Sequence, residues 1–333
     1  MSILPETADR AEAALYGLAI GDALGMPTQL MSRRQVRRSF GSIDGFRAAA
    51  ADHPIAAGMA AGTVTDDTEQ AVLLARHLVA HSGRTDPNDL ARELVAWEEK
   101  MRARGSLDLL GPSTKSAVEA VIRGTPVESS GRFGTTNGAA MRVTPVGIAV
   151  SSTDLAGLVD RVEEASSVTH NTGVAIAGAA AVAAAVSAAI DGATLAETIE
   201  AAMAAARIGS RRGYWVAAAD VSRRIEWAVS FADRGDREAT LSDLYEVIGT
   251  SLATQESVPA AFGVLAEFPD DPWGACCAAA SLGGDTDTVA AIVGAIAGAR
   301  AGMHGLPADA VALIASVNDL EFTPLANELL ALR

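Results

Sequence analysis

The sequence predicts an all-α fold, and three observations carry that prediction. About one residue in five is alanine, hydrophobic residues reach 49% while aromatic ones stay at 4%, and nowhere do Thr, Val and Ile alternate with polar residues long enough for a strand. Alanine has the highest helix propensity, and small side chains let helices pack closely. A chain of 333 residues can bury a large core. No Gly/Ser-rich or Pro-rich linker divides it, so residues 1–333 read as a single compact domain.

Apolar residues at helical spacing predict helices over residues 11–24, 67–81, 89–104, 113–123 and 139–150. The pattern continues over 154–165, 172–190, 195–206, 213–232, 241–252, 258–268, 287–301 and 308–317. Residues 174–190 reach the lower length limit for a membrane span, but they are dominated by alanine and include Gly178 and Ser187, so they predict a buried central helix. Glu256-Ser257-Val258-Pro259 reads as a helix start, with Pro259 in the first turn. Three stretches lack helical periodicity: 25–64, 124–137 and 282–286. Loops of this kind on a rigid helical scaffold are where chemistry usually resides.

Charge narrows the partners. Lys plus Arg total 26 against 41 Asp plus Glu, a net charge of −15 that repels polyanions and excludes a general nucleic-acid binder. Lys100 and Lys115 are the only lysines, so there is no polybasic membrane tether, and Arg33, Arg34, Arg37 and Arg38 read as a solvated helix face. Cys276 and Cys277 are adjacent, unsuited to an ordinary long-loop disulfide. Residues 1–10 lack the pattern of a signal peptide, and the expected location is cytoplasmic. Trp215, Trp227 and Trp273 are expected in the core or a cleft wall. Residues 104–114 are a candidate cleft wall, or else a turn with an N-cap at Ser113.

Two acidic motifs stand apart. Gly62-Thr63-Val64-Thr65-Asp66-Asp67-Thr68-Glu69 opens one helix and Gly283-Gly284-Asp285-Thr286-Asp287-Thr288 opens another. Either one alone reads as helix capping, because Thr, Asp and Glu accept bonds from free N–H groups and complement the dipole; Asp66 followed by Glu69 resembles a capping box. Capping needs one carboxylate, however, and each motif supplies two. Asp66, Asp67, Asp285 and Asp287 together balance two divalent cations, and hard oxygen donors suit Mg²⁺ or Mn²⁺. Zinc is disfavoured because neither motif has a nearby His or Cys, and an EF-hand is excluded by Val289.

With Gly17-Leu18-Ala19-Ile20-Gly21-Asp22-Ala23-Leu24-Gly25 and Asn137-Gly138-Ala139-Ala140-Met141-Arg142, these motifs resemble the ADP-ribosylglycohydrolase family in kind and order, over residues 17–288. The resemblance implies an all-α orthogonal multi-helix domain with a dinuclear metal cleft. It implies that Thr65, Asp66 and Asp67 bind metal from one side and Asp285, Asp287 and Thr288 from the other; the mechanism expected on that basis has Asp66 or Asp285 orient the attacking water as a base. It further implies that Gly134, Thr135, Thr136, Asn137 and Gly138 meet phosphate and that His170 lies near ADP-ribose. Without the resemblance, the glycine-rich segment reads equally as an ordinary turn, and His170 as a cap or surface residue before a helix. Many relatives carry a glutamate just after the Gly-Asp-Ala-Leu-Gly segment; Gln29 occupies that place here, able to hydrogen-bond but not to act as a base.

The expected activity is hydrolysis of an ADP-ribosyl N- or O-glycosidic bond, with two divalent cations, Mg²⁺ or Mn²⁺, holding the ribose and activating water. The substrate is an ADP-ribosylated protein or a small ribosylated molecule, including a nucleoside-like riboside. A non-catalytic ADP-ribose-binding protein is the reading from another class. No nucleic acid and no membrane are expected as partners.

Overall fold

The computed structural model describes residues 4–106, 110–232 and 235–333, and among these it contains helices and no strands. In chain order the helices are α1 (Pro5–Gly25), α2 (Arg33–Phe40), α3 (Asp66–Ala80), α4 (Pro87–Ala103), α5 (Pro112–Ile122), α6 (Val127–Ser130), α7 (Gly138–Met141), α8 (Thr144–Ala149) and α9 (Leu155–His170). They continue with α10 (Gly173–Ile190), α11 (Leu195–Gly209), α12 (Val221–Val229), α13 (Arg237–Asp243), α14 (Thr254–Glu267), α15 (Pro272–Ala280), α16 (Thr286–Ala301), α17 (Ala308–Asn318) and α18 (Thr323–Leu330).

The most apolar helix is the innermost. Every residue of α10 is buried, as the alanine-dominated sequence predicts, and α7, α8, α9, α11, α14 and α16 pack around it. Its surroundings form one hydrophobic cluster running from Ala11 to Leu330, and a smaller cluster joins α4 to α5 through Leu90, Leu94, Trp97 and Val118.

The closest helix pair is α1 with α16, and glycine makes it possible. Gly17 and Gly21 lie one turn apart on α1, and a Cβ built on them would stand 2.1 Å from the carbonyl oxygen of Gly294 and 1.9 Å from that of Ala290. Only a helix face without side chains allows such an approach. This seam brings Asp22 on α1 and the start of α16 into the same neighbourhood.

Departures from the sequence reading have local causes. The helix expected over 139–150 is two short ones, because Pro145 lacks an N–H and its ring crowds the preceding turn. Of 213–232, α12 forms over Val221–Val229, whereas Tyr214 pairs in extended form with the Asn171–Gly173 backbone. The helix expected over 241–252 runs earlier, as α13 and a π-turn over Leu244–Ile248. Pro259 lies inside α14 rather than in its first turn; Arg224 Nη1 donates to Gln255 O at 3.1 Å, satisfying the carbonyl that a residue with an N–H at position 259 would have served. Helices α6, α15 and α18 were not expected, and α9 continues to His170, so that histidine ends a helix rather than preceding one. Trp215 and Trp227 are exposed, not core or cleft residues, whereas Trp273 packs edge-on against Phe46.

Candidate active site

The N-termini of α3 and α16 meet on the floor of a cleft. On the α3 side, Thr65 is the N-cap and accepts the Asp67 N–H at 3.4 Å. Glu69 does not complete a capping box; it accepts from Trp97 Nε1 at 2.6 Å instead. What fixes the turn is Asp22, fully buried on α1. Its carboxylate accepts from the Thr65 N–H at 3.0 Å, the Thr65 hydroxyl at 2.7 Å, the Thr68 N–H at 3.1 Å and the Thr68 hydroxyl. Asp22 belongs to the quoted glycine motif, yet nothing local in the sequence marks its role, because its partners lie more than forty residues away.

The α16 side is fixed by backbone. Gly283 and Gly284 have φ of +88° and +85°, a conformation that side chains disfavour, and a Cβ on Gly284 would lie 2.3 Å from Thr250 O. The turn pairs with its neighbours through Gly284 N–H to Met31 O, Leu30 N–H to Gly284 O and Asp285 N–H to Thr250 O, each 2.7 Å. Asp285 then accepts from the Asn137 amide at 2.6 Å, and the same amide nitrogen reaches Ser257 Oγ at 3.0 Å.

The two sides touch where the Thr288 hydroxyl donates to Asp67 Oδ2 at 3.3 Å. Burial drives the Asp67 carboxyl well above the usual carboxylate range, and Asp287, Asp66, Asp22 and Asp285 push it further. Burial also raises Asp22, to about 6, and Asp285, the latter against the opposing hydrogen bonds of Asn137 and Thr288. Asp67 Oδ1 is buried with no hydrogen-bond partner among the described residues. Clustered carboxylates of this kind call for protons or cations. The donor chemistry, carboxylate and hydroxyl oxygens, fits a hard cation. No three His, Cys, Asp or Glu side chains among the described residues close into a ready-made metal-binding group.

The cleft holds about 240 Å³. Asp66, Asp67, Asp285, Asp287 and Thr288 line it, together with Gln29, Thr136, Asn137 and Gly138. Four other predicted residues stand behind the surface. Thr65 is turned toward Asp22, Gly134 packs against Thr169 and His170, Thr135 bonds Thr254 through its carbonyl, and His170 is fully buried. Three N–H groups of the 134–138 segment are already used: Gly134 on Gly131 O, Asn137 on Leu252 O and Thr136 on Ser113 Oγ. Of the segment's side chains on the cleft wall, the Asn137 amide is engaged with Ser257 and Asp285, and the Thr136 hydroxyl stands beside it. Leu110, Gly111, Pro112 and Thr114 also line the cleft; of the rest of that expected wall, Arg104, Gly105, Ser106 and Ser113 are not part of the lining, and Leu107, Asp108 and Leu109 lie outside the described residues. Ser113 is no N-cap, since α5 is capped at Gly111.

Gln29 sits on a rigid corner. The Thr28 hydroxyl donates to Ala280 O at 2.7 Å, and Leu30 adopts φ +61°. His53, which the sequence did not single out, accepts the Ile55 and Ala56 N–H groups at Nδ1, so its Nε2 carries the proton donated to Gln29 O at 3.0 Å. Gln29 is 4% exposed, and its Nε2 has no hydrogen-bond partner among the described residues.

A sequence model described as ADP-ribosylglycohydrolase matches residues 4–333. The chain belongs to the ADP-ribosylglycohydrolase family. Membership makes it a hydrolase of ADP-ribosyl linkages, and the acidic motifs quoted from the sequence line its cleft. An uncharacterized protein of Escherichia coli K12, YegU, is 36% identical over 322 residues, covering 96% of each chain. The ADP-ribosylarginine hydrolase Tri1 of Pseudomonas putida GB-1 is 29% identical over 98% of this chain and 80% of its own. A solved ADP-ribosylglycohydrolase-related protein complex shares the all-α fold at a TM-score of 0.70 and 24% identity, covering 99% of this chain and 98% of that one.

Proposed function

We propose that this ADP-ribosylglycohydrolase is metal-dependent and that two divalent cations, Mg²⁺ or Mn²⁺, occupy its cleft floor. The observation carrying the reading is the buried meeting of two acidic helix starts, with Asp67 Oδ1 unsatisfied between them. Asp66 and Asp67 would hold the cations from α3 and Asp285, Asp287 and Thr288 from α16, with Thr65, whose hydroxyl donates to Asp22, as a further oxygen ligand through its lone pairs. When bound, the cations would supply charge neutralisation, a grip on the ribose hydroxyls and a water of lowered pKa. Asp66 or Asp285 would orient a water whose attack at the anomeric carbon breaks the glycosidic bond and releases the aglycone. Asn137 holds the Asp285 carboxylate in place. Burial of the floor keeps bulk water from competing for these donors.

The substrate is an ADP-ribosylated protein or a small ribosylated molecule. Tri1 is named for ADP-ribosylarginine. The unpartnered Gln29 Nε2 favours an aglycone that offers it a hydrogen-bond acceptor. The test is a panel of ADP-ribosyl-arginine, ADP-ribosyl-serine peptide, O-acetyl-ADP-ribose and nucleosides, assayed with each metal by mass spectrometry. Hydrolysis is expected only with Mg²⁺ or Mn²⁺, and Asp287→Asn should lower it at least 1,000-fold, on the order of 4 kcal/mol, while the helical circular dichroism is retained. Full turnover in EDTA, or an undiminished Asp287→Asn, refutes the metal reading. ADP-ribose binding without turnover of any substrate identifies a silent binder.

A further inference from the structure

Arg142 closes the Asn137–Arg142 motif and is 1% exposed, among the largest fully buried side chains. We propose that Arg142 is a positioning residue whose buried guanidinium sets, through two hydrogen-bond arms, a carboxylate as acceptor on the cleft floor and a hydroxyl as donor on its wall. The catalytic meaning of this relay rests on the reading of the cleft given above; its hydrogen-bond polarity does not.

A guanidinium can only donate, so every group it touches must accept. In the first arm, Nη1 donates to Gln70 Oε1 at 3.1 Å. That fixes the amide's orientation, and Gln70 Nε2 donates to Asp66 Oδ2 at 2.8 Å. In the second arm, Nη2 donates to Thr169 Oγ1 at 2.5 Å. With that oxygen accepting, the Thr169 proton goes to His170 Nδ1, 2.7 Å away. A neutral imidazole that accepts at Nδ1 carries its proton on Nε2, which faces Thr136 Oγ1 at 3.0 Å. Thr136 therefore accepts from His170 and keeps its own O–H for the cleft it lines. Burial, and after it the nearby guanidinium, hold His170 well below the ordinary histidine range and so in this neutral form.

The alternative is that Arg142 only fills space beside α3 and α9. ¹⁵N NMR on the full chain at pH 7, with His170 assigned by loss of its signal in His170→Asn, separates the two. The wild type should show the Nε2–H tautomer. Thr169→Val should release that tautomer and raise KM roughly tenfold without changing Mn²⁺ affinity in calorimetry. Gln70→Leu should leave the tautomer fixed while lowering kcat and Mn²⁺ affinity roughly tenfold. Arg142→Met should do both; if it fails to fold, the two single-arm variants still decide. An Nδ1–H tautomer in the wild type, or single-arm variants that leave tautomer, metal affinity and kinetic constants unmoved, overturns the proposal. If the wild type hydrolyses no ADP-ribosyl substrate, the catalytic reading fails separately, and the tautomer still decides the relay's polarity.

Discussion

The two acidic helix starts do similar work by opposite means. The α3 turn is held by side chains, four donors converging on the Asp22 carboxylate. The α16 turn is held by main chain, with two glycines at positive φ and three backbone bonds of 2.7 Å. A side-chain anchor can be weakened one bond at a time. A backbone anchor tolerates little, because any Cβ at Gly284 meets the Thr250 carbonyl. The difference teaches that the first cluster can be tuned by substitution, whereas the second is fixed once the chain adopts the turn.

Both anchors depend on the α1–α16 seam, so breaking the seam should erase the comparison. Gly21→Val places a branched side chain against the Ala290 carbonyl. The expected loss is more than about 4 kcal/mol in urea denaturation, enough to unfold many domains of this size. A stable, active Gly21→Val protein would show that the approach of the two helices is not required.

Next in size, Gly284→Ala should cost about 2–4 kcal/mol, through positive φ and the carbonyl clash together. Thr68→Val, which deletes one of the Asp22 donors, should cost only about 1–2 kcal/mol. If the two melt alike, the contrast between backbone and side-chain anchoring is wrong.

The smallest effect lies at the far end of α3, away from the cluster. His77 Nε2 accepts the Asp86 N–H at 3.1 Å and Nδ1 lies 3.0 Å from Glu93. Burial lowers its pKa below 6.5, although Glu93 pulls the other way. The unfolded chain therefore takes up a proton before the folded one, so this contribution to stability is complete above pH 6.5 and is lost as pH falls below it. The melting-temperature gap between wild type and His77→Gln should narrow by roughly 2–4 °C between pH 7.5 and 5.5. A constant gap would mean that His77 is protonated equally in both states.

Much of this was legible in the sequence where local pattern decides. Helices α1, α3, α10 and α16 follow from periodicity and composition, and both acidic clusters follow from two carboxylates where capping needs one. What was not legible depends on distant partners. Asp22, His53 and Ser257 look ordinary until the fold brings Thr65, Gln29 and Asn137 beside them. Helix α15, built mainly of Ala and Cys, has no polar face to create a period, and the break at Pro145 is a local signal that the continuous apolar run around it obscures. The segment at Gly134–Gly138 suggested free backbone donors, but three of its N–H groups are consumed within the fold.

The glycine seam also bears on the order in which the molecule can be made. The Thr286 hydroxyl donates to Gly25 O across 261 positions of sequence, so α1 emerges early from a ribosome and its closest partner comes late. Until then the bare, side-chain-free stripe of α1 has no partner to cover it, and half of the acidic floor does not yet exist. A contact closed over such a span is slow to form, and the exposed helix face is open to wrong associations meanwhile. A nascent chain stalled before α16 would therefore be both inactive and adhesive, which makes the emergence of α16 the event that assembles the floor of the cleft.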